Sequence, residues 1–207
     1  VGMMDCKKAL TEADGDFDKA IELLREKGLA KAAKKADRIA AEGLVKATVC
    51  DECGVGAIIE VNSETDFVAK NADFQQFVSD VATVVIKDAP ADVEALKACK
   101  MGEGTVQYAL QEKVLTIGEN LQIRRFERFD NSTVNVAYNH MGGVIGVLVG
   151  LEVSEGLKDN AAVKELGKDI GMQAAAMNPS FLDKSDVDEA TLAKEKEILL
   201  IQALEEN

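Results

Sequence analysis

The chain has 207 residues, of which 47% are hydrophobic and 29% are charged, and it contains no tryptophan. This length exceeds one average domain and the composition is that of a folded protein rather than a disordered one, so we expect two or three compact units. The formal net charge of −13 repels phosphate backbones, which argues against nucleic acid as the primary partner despite the basic run Lys31, Lys34, Lys35, Arg38, and predicts a protein partner.

Four cysteines occur without a secretory signal or an apolar run long enough to span a membrane: Cys6, Cys50, Cys53 and Cys99. Unpaired cysteines of this kind indicate a reducing cytosol, with an organellar origin left open. The chain begins at Val1 inside a helical pattern. We therefore expect that the natural N-terminus is missing, which leaves open whether a targeting peptide preceded it.

The first 36 residues have apolar side chains at helical spacing. They predict two helices, the first with Met4, Ala9 and Leu10 and the second with Phe17, Ala20, Ile21, Leu23 and Leu24. Asp16 is a suitable N-cap for the second helix, and Gly28 is a suitable end after about three turns. Two helices bury little apolar surface alone, so we expect a third helix, partly lost before Val1, and then a helical or extended connector over residues 31–41.

From Leu44 the spacing changes to the alternation that is typical of strands. Residues 44–49 and 57–61 flank the turn Cys50-Asp51-Glu52-Cys53-Gly54, which predicts a β-hairpin. Apolar residues at helical spacing follow and stop before Pro90: Phe74, Phe77, Val78, Val81 and Val85. The unit is therefore strand, turn, strand and helix.

The same unit recurs 89 residues later without a gap. Residues 44–90 align with residues 133–179, and the matching positions include Val45 with Val134, Gly54 with Gly143, Asn71 with Asn160, Asp80 with Asp169 and Pro90 with Pro179. We interpret this as two related α+β subdomains. The alternative is a chance similarity between two hairpin–helix units, which are common.

Three further elements complete the predicted α+β fold. Residues 92–115 are predicted to be helical, and residues 120–129 alternate like an additional strand. After Pro179, residues 187–206 carry apolar side chains among mixed Glu and Lys, which predicts a long amphipathic helix.

The most informative stretch is the loop between the second strand and the helix of the first repeat. Such loops are where a rigid scaffold presents contacts to other molecules. Thr65 or Asp66 is predicted to cap a short helical turn, which places Phe67 at its outer corner. The second repeat has Glu155 and Gly156 where the first has Asp66 and Phe67, so the aromatic is not needed to close this type of subdomain. On residue type alone, however, a buried Phe67 is the more usual case.

Three segments of the chain, in order, resemble signatures of the elongation factor Ts family. In chain order they are GMMDCKKAL at residues 2–10, NSETDFVAKN at residues 62–71, and Ile117-Gly118-Glu119-Asn120 followed by Arg124-Arg125. The resemblance covers the chain from its start to about residue 189. Members of this family are non-enzymatic exchange factors that make the GTPase elongation factor Tu release GDP. By the same resemblance, the chain lacks an extreme N-terminus and a C-terminal portion.

The resemblance implies a role for four residues of the loop. Thr65, Asp66, Phe67 and Val68 would reach into elongation factor Tu near its nucleotide-bound magnesium, and the Phe67 ring would wedge between side chains of the partner. This implication reverses the preference for a buried Phe67.

The resemblance also implies two further contacts with the partner. The opening unit would be a ubiquitin-associated-like three-helix domain that packs on the nucleotide domain of elongation factor Tu, which puts Met3 and Met4 near that contact, although methionines ordinarily fill cores. The second subdomain, with Tyr138, Asn139 and His140, would face another partner domain.

The implied partner is elongation factor Tu, both GDP-bound and nucleotide-free, with no cofactor, metal, nucleic acid or membrane. A homodimer through the helical insert is a further expectation for the full-length protein. The predicted domains are a ubiquitin-associated-like helical domain and connector (1–38), a core N-subdomain (39–132), an incomplete C-subdomain (133–185) and the start of a helical coiled-coil insert (186–207).

The residues alone leave two other functional classes to consider, a thiol or metal site and a binding adaptor. Cys50 and Cys53 suggest a metal or redox site, but structural zinc needs four ligands and only Cys6, Cys99 and His140 could add to the pair. Redox pairs of the thioredoxin type open a helix rather than a hairpin turn, so two free thiols are expected. With a single histidine and no phosphate-binding loop we predict that the chain is not an enzyme. The main alternative to an exchange factor is a binding adaptor for some other protein.

Overall fold

The computed structural model describes residues 3–205, without the side chains of residues 29, 31 and 33. It mixes α-helices with antiparallel strands, as the sequence predicts. The helices are α1 Met3–Glu12, α2 Phe17–Ala33, α3 Asp66–Ala69, α4 Ala72–Asp88, α5 Val93–Ala98, α6 Val106–Ile117, α7 Ala161–Met177 and α8 Glu189–Glu205, with a 3₁₀ turn at Lys184–Asp186. The strands are β1 Glu42–Val49, β2 Gly56–Ser63, β3 Lys100–Met101, β4 Gly104–Thr105, β5 Gln122–Phe129, β6 Val134–His140 and β7 Ile145–Leu151.

Helices α1 and α2 pack through a small core whose buried members are all alanines: Ala9, Ala13 and Ala20. Asp16 caps α2 as predicted, because its carboxylate accepts hydrogen bonds from the backbone N–H groups of Asp18 and Lys19. The described residues hold two helices in this region, and the ubiquitin-associated-like three-helix domain stays a prediction.

The prediction that Gly28 ends α2 is wrong, since the helix continues to Ala33. Gly28 is instead buried where α2 passes α6, and a Cβ at this position would lie 2.6 Å from Cδ1 of Leu115. Glycine is therefore present here for close packing between two helices rather than for the left-handed conformation of a helix end.

The central sheet has the strand order β1-β2-β5, and both pairings are antiparallel. This agrees with the predicted hairpin and the predicted additional strand. Because side chains alternate along a strand, Ile59 and Val61 of β2 face the same side, where they are buried together with Phe74 and Phe77 of α4. The main hydrophobic core lies between this face of the sheet and the helices α4, α5 and α6.

The prediction of continuous helix over residues 92–115 is wrong. The chain forms the short helix α5, then the two-residue strands β3 and β4, and only then α6. Gly102, with a φ of +59°, lies in the turn between β3 and β4. The Thr105 hydroxyl then caps α6 by accepting a hydrogen bond from the backbone N–H of Tyr108. Turn and capping residues therefore override the helical spacing of the apolar side chains.

Residues 134–177 repeat the order hairpin and helix, and α7 begins and ends 89 residues after α4. Matching positions share local conformation. Gly54 and Gly143 both have positive φ in the hairpin turns, and Ala89 and Asn178 both have a φ of +46° after the helices. The two units therefore share their element order and their turn and cap conformations, while the subdomain limits stay predictions.

The described chain divides into two compact units after Ala175. The second unit contains α8, so the predicted helix near the end of the chain is confirmed. None of the residues of α8 is buried. Across the residues that the structure describes, no helix is both long enough and apolar enough to cross a bilayer.

Candidate functional site

The loop between β2 and α4 contains α3, a single helical turn of four residues. Val68 is 8% exposed and belongs to the main core, whereas Phe67, its neighbour in the turn, is 78% exposed. Val68 thus attaches the turn to the sheet, and Phe67 extends from it into solvent. Of the four loop residues predicted to contact a partner, Val68 offers little surface and Phe67 offers the most apolar surface.

Thr65 occupies the N-cap position of α3 and has extended backbone, but its side chain makes no capping hydrogen bond to the turn. Its hydroxyl instead donates to Oε1 of Glu119 at 2.6 Å. The predicted capping role of Thr65 is therefore wrong in its chemistry, although the turn begins where it was expected.

Glu119 lies in the segment between α6 and β5, and its carboxylate accepts hydrogen bonds from the loop between β2 and α4. Its Oε2 accepts hydrogen bonds from the backbone N–H groups of Glu64 and Thr65, each at 3.0 Å. In return, Oε1 of Glu64 accepts a hydrogen bond from the backbone N–H of Asn120 at 2.6 Å. Sequence patterns placed Glu119 in a family signature without assigning it any contact, because a partner 54 residues away in the chain leaves no local signal.

Asp66 and Lys70 form an ion pair across the exposed side of α3, with 2.7 Å between Oδ2 and Nζ. The hydrogen bond from Lys70, and then its positive charge, lower the pKa of the Asp66 carboxyl below its usual range. The same Nζ lies 5.9 Å from the centroid of the Phe67 ring, within the range of a cation–π contact. The exposed ring is thus flanked by a carboxylate and an ammonium group.

The other predicted contact residues lie on different elements. Met3 and Met4, on α1, are 88% and 64% exposed and do not fill a core. His140 is exposed at the end of β6, where its Nδ1 lies 2.9 Å from the hydroxyl of Tyr138. The side chain of Asn139 has a structural role, because its amide accepts from the backbone N–H of Ala47 and donates to the carbonyl oxygen of the same residue.

Cys50 and Cys53 are free thiols at the turn between β1 and β2. The backbone N–H of Cys53 donates to Sγ of Cys50 at 3.3 Å. Hydrogen bonds from Cys53, the side-chain one first, lower the pKa of the Cys50 thiol. Within residues 3–205, no group of three or more His, Cys, Asp and Glu side chains is arranged to hold a metal ion.

Comparison with known proteins identifies a single family for most of this chain. The family model described as "Elongation factor TS" matches residues 64–207. Elongation factor Ts of Syntrophotalea carbinolica is 52% identical over 207 residues, and the proteins of the same name from Clostridium perfringens and Clostridium kluyveri are 51% and 53% identical. Each of these alignments covers 99% of this chain and 67% of the relative.

Proposed function

The chain belongs to the elongation factor Ts family, and on that premise we propose that it binds GDP-bound elongation factor Tu and accelerates the release of GDP. Family membership makes it a translation elongation factor of protein biosynthesis and not a catalytic enzyme. The proposed mechanism is that Phe67 wedges into the GTPase domain of the partner and displaces the coordination of its nucleotide-bound magnesium.

The observation that carries the proposal is the exposure of Phe67 on a turn that is itself held in place. An aromatic ring that is 78% exposed in the free chain has most of its apolar surface available for a partner. Moving such a side chain from water into an apolar pocket yields about 1.5–3 kcal/mol. Val68, buried in the core, keeps the backbone of the turn fixed while the ring enters that pocket.

This free energy is large enough to matter and too small to act alone. Exchange requires that the factor and GDP weaken each other's binding by the same free energy. A tenfold loss of GDP affinity requires about 1.4 kcal/mol. The wedge therefore accounts for roughly a tenfold to a hundredfold effect, and loss of magnesium coordination together with the rest of the interface supplies the remainder.

The remaining contacts are part of the same proposal. Met3 and Met4, exposed on α1, contact the nucleotide domain of elongation factor Tu, and His140 contacts a second domain of it. Thr65 and Asp66 accompany Phe67. We place the protein in the bacterial cytoplasm and propose a homodimer through the helical insert of the full-length protein. The partner in each step is a protein, with no cofactor, nucleic acid or membrane.

The test measures release of a fluorescent GDP analogue from elongation factor Tu after mixing with this chain and excess unlabelled GDP. The wild-type chain is expected to accelerate release, and Phe67→Ala is expected to lose about tenfold or more of that acceleration. Phe181→Ala, which truncates another exposed Phe outside the loop, is the matched control and should keep the wild-type rate. Chelation of magnesium should shrink the difference between wild type and Phe67→Ala.

Thermal unfolding of the same variants separates a wedge from a core residue. Phe67→Ala should leave the melting temperature nearly unchanged, whereas Phe74→Ala, which removes a fully buried ring, should cost about 3–5 kcal/mol. A loss of that size in Phe67→Ala would show that the ring is structural and refute the wedge. An unchanged GDP release rate with the wild-type chain would favour the adaptor function instead.

A further inference from the structure

We propose that Glu119 is a positioning residue for the wedge, holding the loop so that Phe67 is presented in one orientation before the partner binds. This inference rests on the proposed exchange function and adds to it a residue that does not itself contact the partner. It starts from the three hydrogen bonds that Glu119 accepts from the two residues preceding α3.

The hydrogen bonds act on the backbone of the turn as well as on a side chain. Two N–H groups, those of Glu64 and Thr65, converge on a single carboxylate oxygen at 3.0 Å each, and the Thr65 hydroxyl binds the other oxygen at 2.6 Å. Hydrogen bonds to a charged acceptor are stronger than neutral ones. Because Phe67 follows Thr65 by two residues, fixing the backbone at Thr65 restricts where the ring can point.

A second set of hydrogen bonds holds Asn120, the residue next to Glu119. The Asn120 backbone N–H donates to Glu64, and the buried Asn120 side chain donates to the carbonyl oxygens of Arg38 and Ala36 at 2.7 and 3.3 Å. The Arg38 guanidinium also lies 3.4 Å from Glu64. The loop is thus joined to two other segments, the connector before β1 and the segment before β5, and apart from the exposed Arg38 guanidinium the joining hydrogen bonds are partly buried.

The burial of these groups makes the arrangement rigid. Asn120 is 3% exposed, so water competes poorly for its hydrogen bonds, and a buried polar network that is satisfied specifies one conformation. By contrast, the Asp66–Lys70 pair on the outer side of α3 is exposed and contributes little to rigidity. We therefore assign the orientation of Phe67 to Glu119 rather than to the ion pair beside the ring.

A double-mutant cycle tests the assignment with the GDP release assay. Glu119→Gln keeps the shape of the side chain but removes its charge and replaces one carboxylate oxygen by a donor, so the three hydrogen bonds cannot all persist in their present direction and strength. Its release rate at saturating concentration should fall on the order of tenfold, because a small misplacement of a contact has large effects on rate. In a Phe67→Ala background the same substitution should cause no further fall, since there is no ring left to orient.

Thr65 offers a matched pair of variants that leaves Glu119 untouched. Thr65→Val removes the hydroxyl while keeping the side-chain shape, and in the free chain it should accelerate amide hydrogen exchange of residues 64 and 65, whereas Thr65→Ser keeps the hydroxyl and should leave that exchange slow. The same amides of the free chain should also exchange faster in Glu119→Gln. These variants keep the test informative should Glu119→Gln fold poorly.

Two results overturn the inference while leaving the proposed function intact. One is a saturating release rate in Glu119→Gln equal to that of the wild type. The other is an equal fractional loss from Glu119→Gln with and without Phe67, which would mark a general structural defect. If the wild-type chain itself leaves the GDP release rate unchanged, the proposed function fails and the inference fails with it.

Discussion

Phe67 and Phe74 lie seven residues apart, a spacing that would place them on one stripe of a continuous helix. The structure instead exposes the first and fully buries the second. The reason is that α3 ends at Ala69 and Asn71 caps a new helix by accepting hydrogen bonds from the backbone N–H groups of Asp73 and Phe74. The two rings therefore belong to different helices, and the helical spacing between them does not place them on the same face.

The ion pair beside Phe67 leads to a prediction for pH dependence. Lys70→Met removes the hydrogen bond and the charge that lower the pKa of Asp66, so this pKa should rise towards its ordinary value. Because the folded-state pKa is lowered, the stability contribution of the pair is present above the ordinary pKa of Asp and is lost as pH falls through the folded-state pKa. A carbon-detected NMR titration of the Asp66 carboxyl in both proteins measures the shift.

Two further observations would complete that test. The difference in stability between wild type and Lys70→Met should reach a constant value at the acidic end of the range, where Asp66 is protonated in both. An Asp66 titration curve that is identical in the two proteins would show that the carboxylate and the ammonium group do not interact in solution.

Strand β1 lies at one edge of the central sheet, so the backbone N–H and carbonyl groups on its outer side have no strand partner within that sheet. The β6–β7 hairpin supplies hydrogen-bond partners for some of these groups without forming a regular strand pair. The Val45 N–H donates to the carbonyl oxygen of Gly143 at 2.8 Å, and the Asn139 amide satisfies both backbone groups of Ala47. The Asn139 side chain thereby makes the two hydrogen bonds to Ala47 that a neighbouring strand would otherwise make, and it joins the second hairpin to the central sheet.

Asn139→Ala should therefore destabilise the fold. The substitution leaves the partly buried N–H and carbonyl groups of Ala47 without their partner, which costs about 1–3 kcal/mol. Urea unfolding should show a lower midpoint at an unchanged slope. Asn131→Ala, at an exposed position in the loop before β6, is the control and should stay within about 0.5 kcal/mol of the wild type. A urea midpoint for Asn139→Ala equal to that of the control would show that the hydrogen bonds between Asn139 and Ala47 do not stabilise the fold.

At the scale of the whole molecule, the hydrophobic cores are very unequal. The core around β2 and α4 includes Phe74, Phe77 and Ile59, all nearly or fully buried, whereas the core of α1 and α2 consists of three buried alanines with leucines at its edge. Stabilisation by burial grows with the apolar area removed from water. The helical unit that carries Met3 and Met4 should therefore open more readily than the sheet that carries Phe67.

Native-state hydrogen exchange measures this difference directly. Amides of α4 and β2 should exchange only through global unfolding, whereas amides of α1 and the first part of α2 should exchange through local opening at a lower free energy. Amides of α8, a helix without any buried residue, should exchange fastest among the described helices. Equal protection of α1 and α4 would show that the alanine core is as stable as the main one.

The sequence by itself determined what depends on neighbours in the chain. Strand alternation, helical spacing and the Asp16 cap predict the first hairpin, α4, the second hairpin and α7, because these signals act over a few residues. The same local signals misplaced the end of α2 at Gly28 and missed β3 and β4. Glycine serves close packing as well as helix ends, and short turn-forming segments interrupt a helical pattern.

Only the tertiary structure decided which groups from distant parts of the chain meet. Glu119 reaches Thr65 across 54 residues, and Asn139 reaches Ala47 across 92, and neither contact leaves a periodic trace in the chain. The exposure of Phe67 is likewise set by the packing of Val68 beside it, since a lone Phe is compatible with core and surface alike. Hydrogen bonds between distant segments form only after the sheet and its helices bring those segments together, so they belong to the fold and not to the local sequence.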